Sequence, residues 1–132
     1  MHRDGISRTL SKVGLAPVVI NSDTTTSSII IDTKGYESLK VSLFAGIVSL
    51  GDIVISSMSE SADSGMSGST AVPTDRLIGT LASTAVDATN ELASVGVVTL
   101  YRYVQYVITS DNSCNMLASS IAELGHAQIA SD

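Results

Sequence analysis

Hydrophobic and polar residues alternate most regularly from Tyr36 to Ala45, where Leu39, Val41, Leu43 and Ala45 share one side and Ser38, Lys40 and Ser42 the other. A period of two marks a half-buried strand. Upstream, Pro17 opens a short apolar run, Val18 to Ile20, which stops at the turn-forming cluster Asn21-Ser22-Asp23. Thr24 to Thr33 is dense in β-branched residues, with Ile29, Ile30 and Ile31 in succession, and predicts a strand ending at Lys34-Gly35. Gly46 to Gly51 offers a loop or bulge before a further strand, Asp52 to Met58. Val95 to Thr109 is too rich in Val, Tyr, Ile and Thr for a helix. Its alternation changes phase near Tyr101-Arg102-Tyr103, which predicts two strand halves joined by a bulge or kink. Asp111-Asn112-Ser113 is expected to close it as a turn.

Two segments fit more than one period. Leu77, Gly79 and Leu81 suit a short strand, while Leu77, Leu81 and Ala85 would line a helix; Leu117, Ile121 and Leu124 are similarly divided, and here a strand over Met116 to Glu123 is preferred. Ser57 to Thr74 is polar, small and glycine-containing, and predicts a long loop of functional or mobile character. Short strands separated by turn signals, without crossover helices, predict an all-β fold: an antiparallel β-sandwich, jelly-roll-like, in a single domain. Residues 1–15 carry mixed charges and read as an N-terminal arm, leaving 16–132 for the sandwich.

Charge and composition narrow the function classes. A chain of 132 residues can bury enough surface to fold without staples. The net charge of −6, with seven scattered basic residues, tells against nucleic acid, because such surfaces need clustered Lys and Arg to displace counterions. Serine and threonine supply about a quarter of the residues. No signal peptide is expected at the N-terminus and no membrane span, since no apolar stretch approaches the roughly 20 residues required. The lone Cys114 excludes an internal disulfide, suits synthesis in a reducing cytoplasm, and reads as a small packing residue rather than a reactive thiol.

Catalytic signatures are missing. No Gly-x-Ser-x-Gly elbow accompanies the serines, and His2 and His126 have no recognisable catalytic context. Asp52, Glu60, Asp63, Asp75 and Asp87 lack calcium-loop spacing and read as solvated loop carboxylates. Nucleotide-binding glycine motifs are absent as well, so the sequence points to no enzyme and to no catalytic, cofactor or metal site. Tyr101 and Tyr103 would share one side of a regular strand and Tyr106 the other, which suits core and interface anchoring better than a shared stacking platform.

Five motifs then fall in a recognisable order: Ala16-Pro17-Val18, Ile31-Asp32-Thr33-Lys34-Gly35-Tyr36-Glu37-Ser38, Leu77-Ile78-Gly79, Arg102-Tyr103-Val104 and Leu124-Gly125-His126. This order, from about Leu15 to His126, resembles a family of small β-sandwich structural proteins from the virion gene clusters of tailed bacteriophages. The chain departs from that pattern at Thr99-Leu100-Tyr101, where relatives often carry glycines, and at Ala127, where proline is common. The resemblance implies a virion protein of the capsid decoration or cement type on the outer head surface, with the major capsid protein as partner and a homo-oligomer, a trimer for preference. A neck or tail component and a host-glycan-binding module are the alternatives. Candidate partner-binding residues are Arg3, Arg8 and Lys12 in the basic arm, with Tyr101 and Tyr103.

Overall fold

Two strands are far too long to lie flat in a body of this size, and the fold follows from how they bend. The computed structural model describes residues 10–127. These form eight strands, β1 (Leu10–Ile20), β2 (Thr25–Ser27), β3 (Ile31–Asp32), β4 (Tyr36–Ser61), β5 (Thr70–Ala71), β6 (Leu77–Ile78), β7 (Leu92–Val98) and β8 (Tyr103–Ala127), paired antiparallel in the order β1-β8-β4-β7-β6. Strands β2 and β3 also pair with β8, and β5 pairs with β4. At about 3.3 Å per residue, the 26 residues of β4 and 25 of β8 would each reach roughly 80 Å or more if straight. They pair with one another from Tyr36↔Ala127 to Ser61↔Tyr103, and this ladder folds over on itself.

The bend is written in backbone conformation. Register shifts occur on β4 between Ala45 and Val48, Val48 and Leu50, and Leu50 and Asp52. Opposite them, Asn112 and Ser113 take φ values of 59° and 58°, and Gly51 takes 84°. Asp23 fastens the corner, its Oδ1 accepting from the Cys114 N–H at 2.9 Å and its Oδ2 from the Ser113 N–H at 3.3 Å. The turn expected at Asp111-Asn112-Ser113 is thus a corner inside β8, and the strand continues beyond it. A left-handed residue re-aims a strand without ending its ladder.

Folding the ladder produces the all-β antiparallel sandwich. A front layer holds β1, the C-terminal part of β8, the N-terminal part of β4, β7 and β6. The back layer holds β2, β3, the N-terminal part of β8, the C-terminal part of β4 and β5. One core joins them: Leu39, Val41, Leu43 and Ala45 from the front face Ile53, Ile55, Ile31 and Ile108 from the back, all buried. Burying each large aliphatic side chain contributes about 1.5–3 kcal/mol. Among the isoleucines at 29–31 only Ile31 is buried, and Thr24 to Thr33 supplies two short strands, β2 and β3, on either side of exposed Ile29 and Ile30 instead of one continuous strand.

Other boundaries also move. Strand β1 begins at Leu10 and pairs with β8 from Leu10↔Leu124, so residues 10–15, expected in the arm, belong to the sheet. Bulges between Val13 and Leu15 and between Leu15 and Val18 accommodate Gly14 and Pro17 on this edge strand. Val95 to Thr109 is divided between β7 and β8 by a loop instead of a bulge. The expected loop at Ser57 to Thr74 shrinks to 62–69, because β4 runs on to Ser61 and β5 follows.

Candidate functional site

Because both long strands fold back, the first and last residues of β4 lie at one end of the sandwich, opposite the corner. Three of the motifs meet at this open end. Ile31 pairs with Val104 and Asp32 with Tyr103, while Leu39 and Ser38 pair with Leu124 and Gly125. The Arg102 guanidinium clasps the Asp32 carboxylate through two bonds, each 2.8 Å. That pairing with Arg102 holds the Asp32 carboxyl well below the usual carboxylate range; the Lys34 N–H and the Lys12 charge add to it, against partial desolvation. Arg102 also lies over the Tyr103 ring, 5.0 Å from its centroid.

Of the residues singled out in the sequence, Arg3, Arg8 and His2 lie outside the described residues. Lys12 is not on an arm: it sits in β1, and its Nζ donates to the Asp32 carbonyl at 3.2 Å. Tyr103 opens β8 half-buried, whereas Tyr101 precedes the strand in a bend and is exposed, so the two do not share a strand face. Lys12 and Tyr103 therefore meet around Asp32 and Arg102. Asp32 and Arg102 themselves have no role on sequence grounds, although they sit in the Ile31–Ser38 and Arg102–Val104 motifs; their opposite charges are the available signal.

Beside this cluster a groove of about 310 Å³ is lined by residues that include Glu60, Ser61, Asp63, Ser67, Thr70 and Tyr101. Its loop is internally tied. Asp63 Oδ2 accepts from the N–H groups of Gly65 and Ser67, and Ser61 Oγ donates to the Ser67 carbonyl at 2.7 Å. Glu60, expected as a solvated loop carboxylate, is instead 3% exposed on the inner face of β4, across from Val104. Arg76 pairs with its Oε1 and donates to the Val98 carbonyl at 3.1 Å, joining the two layers.

A second surface lies on the outside of the front layer. Val19 pairs with Leu117, Val13 with Ile121, and Leu92 with Phe44, so alternation turns all six toward one side. Val13, Val19, Leu92 and Leu117 are 41–63% exposed. Periodicity in the sequence revealed Leu117 and Ile121 as a pair but gave no partner strand, and so could not show that they join a larger patch. Cys114, by contrast, is buried as expected; burial, with the Asp23 and Asp52 charges, pushes its thiol above the ordinary range.

The geometry defines an antiparallel β-sandwich whose layers share two continuous strands, and solved structures with this fold are known. The crystal structure of PBSX exported protein XepA superposes with a TM-score of 0.59 at 15% identity, covering 93% of this chain and 39% of that one. The crystal structure of SPBc2 prophage-derived protein YomS gives 0.52 at 12% identity, covering 88% and 91%. This chain thus spans well under half of XepA and nearly all of YomS. No protein-family model and no curated protein sequence matches it.

Proposed function

We propose that the protein is a non-enzymatic structural component of a tailed-phage particle that decorates the head, seating its front layer on the capsid shell as a cement. The observation that carries this reading is the outward apolar face of Val13, Val19, Phe44, Leu92, Leu117 and Ile121. Exposed apolar side chains gathered on one sheet face, with Ser42, Ser94 and Ser119 between them, suit a partner surface, and a broad sheet face suits repeated identical contacts around symmetry axes. The order of motifs supports the virion assignment. So does the fold, which recurs in a prophage-derived protein along nearly its whole length. Net acidity favours a position outside the shell over one against packaged DNA. The major capsid protein is the partner, a trimer the favoured assembly, and Arg3 and Arg8 are candidates for reaching an acidic neighbour.

Reconstruction of particles with and without the gene tests the assignment. The expected result is density on the outer head surface at on the order of hundreds of copies, lost with the gene together with heat or osmotic resistance. About a dozen copies at the neck would move the protein to the connector, and an unchanged particle would overturn the reading. Val19→Lys and Leu117→Lys should leave the chain folded and abolish its association with the head.

A further inference from the structure

We propose that the open-end groove is a binding site for a neutral or amino-bearing saccharide unit. This is a ligand site separate from the apolar face, and it does not depend on the capsid assignment. Three observations meet there. The Glu60 side chain is buried, and among the described residues its Oε2 has no hydrogen-bond partner, while Arg76 occupies Oε1. A buried carboxylate oxygen without a donor is costly, and a ligand hydroxyl or amine supplies that donor. Tyr101, 42% exposed, offers an aromatic face at the same groove, and the C–H face of a pyranose packs on such a ring.

The remaining wall fits the same chemistry. Ser61, Asp63, Ser67 and Thr70, all polar, contribute to the lining. The bonds from Asp63 to Gly65 and Ser67 hold the loop in one shape before any ligand arrives, which lowers the ordering cost of binding. A volume of about 310 Å³ lies at the small end of ligand sites and suits one or two sugar rings. Charge selects among sugars: Glu60 and Asp63 line the groove, Arg76 is already engaged by Glu60, and acidic sugars would be repelled.

The test is an amide-resolved NMR titration of the full chain with four probes at millimolar concentration: N-acetylglucosamine, galactose, glucosamine and glucuronic acid. Calcium chloride is titrated separately. The expected result is saturable shifts confined to residues 60–70 and 101 with one or more of the first three, and none with glucuronic acid. Tyr101→Ala should weaken that binding about tenfold or more, and Tyr101→Phe should restore it. Asp63→Asn should relax the exclusion of glucuronic acid. Tyr101 is exposed, so its variants remain informative if Glu60→Gln fails to fold. Absence of shifts with all sugars, shifts elsewhere on the surface, binding indifferent to Tyr101→Ala, or a response to calcium alone would each overturn the proposal.

Discussion

The hydroxyls of Tyr106 and Ser120 lie 2.5 Å apart, although both belong to β8 and are separated by 14 positions. In an extended strand that separation is about 46 Å. The contact exists because the corner at Asn112 and Ser113 carries the strand from the back layer into the front. Ser120 Oγ donates its proton to the Ser42 carbonyl at 2.8 Å, so the Tyr106 phenol must be the donor to Ser120. Tyr106 is fully buried and spans the core, and its hydroxyl adds a polar link between the two layers.

Tyr106→Phe should lower stability by about 1–1.5 kcal/mol, measured by urea denaturation with an unchanged m value, because the Ser120 hydroxyl keeps its second bond. Burial raises the Tyr106 phenol above the ordinary tyrosine range, against the lowering effect of Ser120. A raised folded-state value means the contribution is fully present below the unfolded value of about 10 and is lost as pH rises from there through the higher folded-state value. The parent should therefore lose its advantage over Tyr106→Phe in strongly alkaline solution.

Gly14 marks where β1 crosses the Tyr106 side chain. A Cβ there would stand 1.8 Å from the phenol oxygen and 2.8 Å from Cζ. Since the ring is fixed by Ser120, Gly14→Ala should cost about 1–3 kcal/mol. Tyr106→Phe in the same chain should recover part of this by removing the nearest atom. A double-mutant cycle reads the coupling, and strict additivity would show that the ring moves aside freely.

The corner and the surface turn at Gly35 separate two kinds of glycine. Gly51 (φ 84°) has no room for a side chain, since a Cβ would lie 2.5 Å from Cys114 Cα and 2.6 Å from the Asp111 carbonyl oxygen. Gly35 (φ 89°) has nothing within 4 Å. Gly35→Ala should cost only the left-handed penalty of about 1–2 kcal/mol, and Gly51→Ala about 3 kcal/mol or more, as read by thermal and urea unfolding.

The Asp32–Arg102 pair should matter modestly and in one direction of pH. The Asp32 side chain is 37% exposed and that of Arg102 46%, so solvent screening keeps the contribution of the pair small. A lowered carboxylate value places its contribution above about pH 4, to be lost on acidification. Asp32→Asn should therefore shift the urea midpoint slightly at neutral pH, less below pH about 4, and less again in high salt.

The N-terminal part of β4 was legible because it alternates cleanly. Leu39 to Ala45 is buried on the side the pattern assigned, and Met116 to Glu123 is strand despite its helical spacing. The bend was not legible: Gly46 to Gly51 and Asp111 to Ser113 look locally like ordinary connections, and only their apposition makes them one corner of a continuous ladder. The burial of Glu60 has no local signal for a related reason. Its neighbours Ser59 and Ser61 suggest a solvated loop, whereas its burial depends on Arg76, 16 residues further on. The Asp32–Arg102 pairing spans 70 positions and has no local signal beyond two opposite charges.

The pairing of Leu10 with Leu124 and of Tyr36 with Ala127 brings both ends of the described chain out at the open end. Tension applied there would open the β1–β8 ladder as a zipper, one cross-strand pair at a time, because the bonds run perpendicular to the strands. Pressure on the broad front face is shared by β1, β8, β4 and β7 together. Pulling by the ends and pressing on the front face therefore load different bonds, cross-strand pairs in succession in the first case and several strands together in the second.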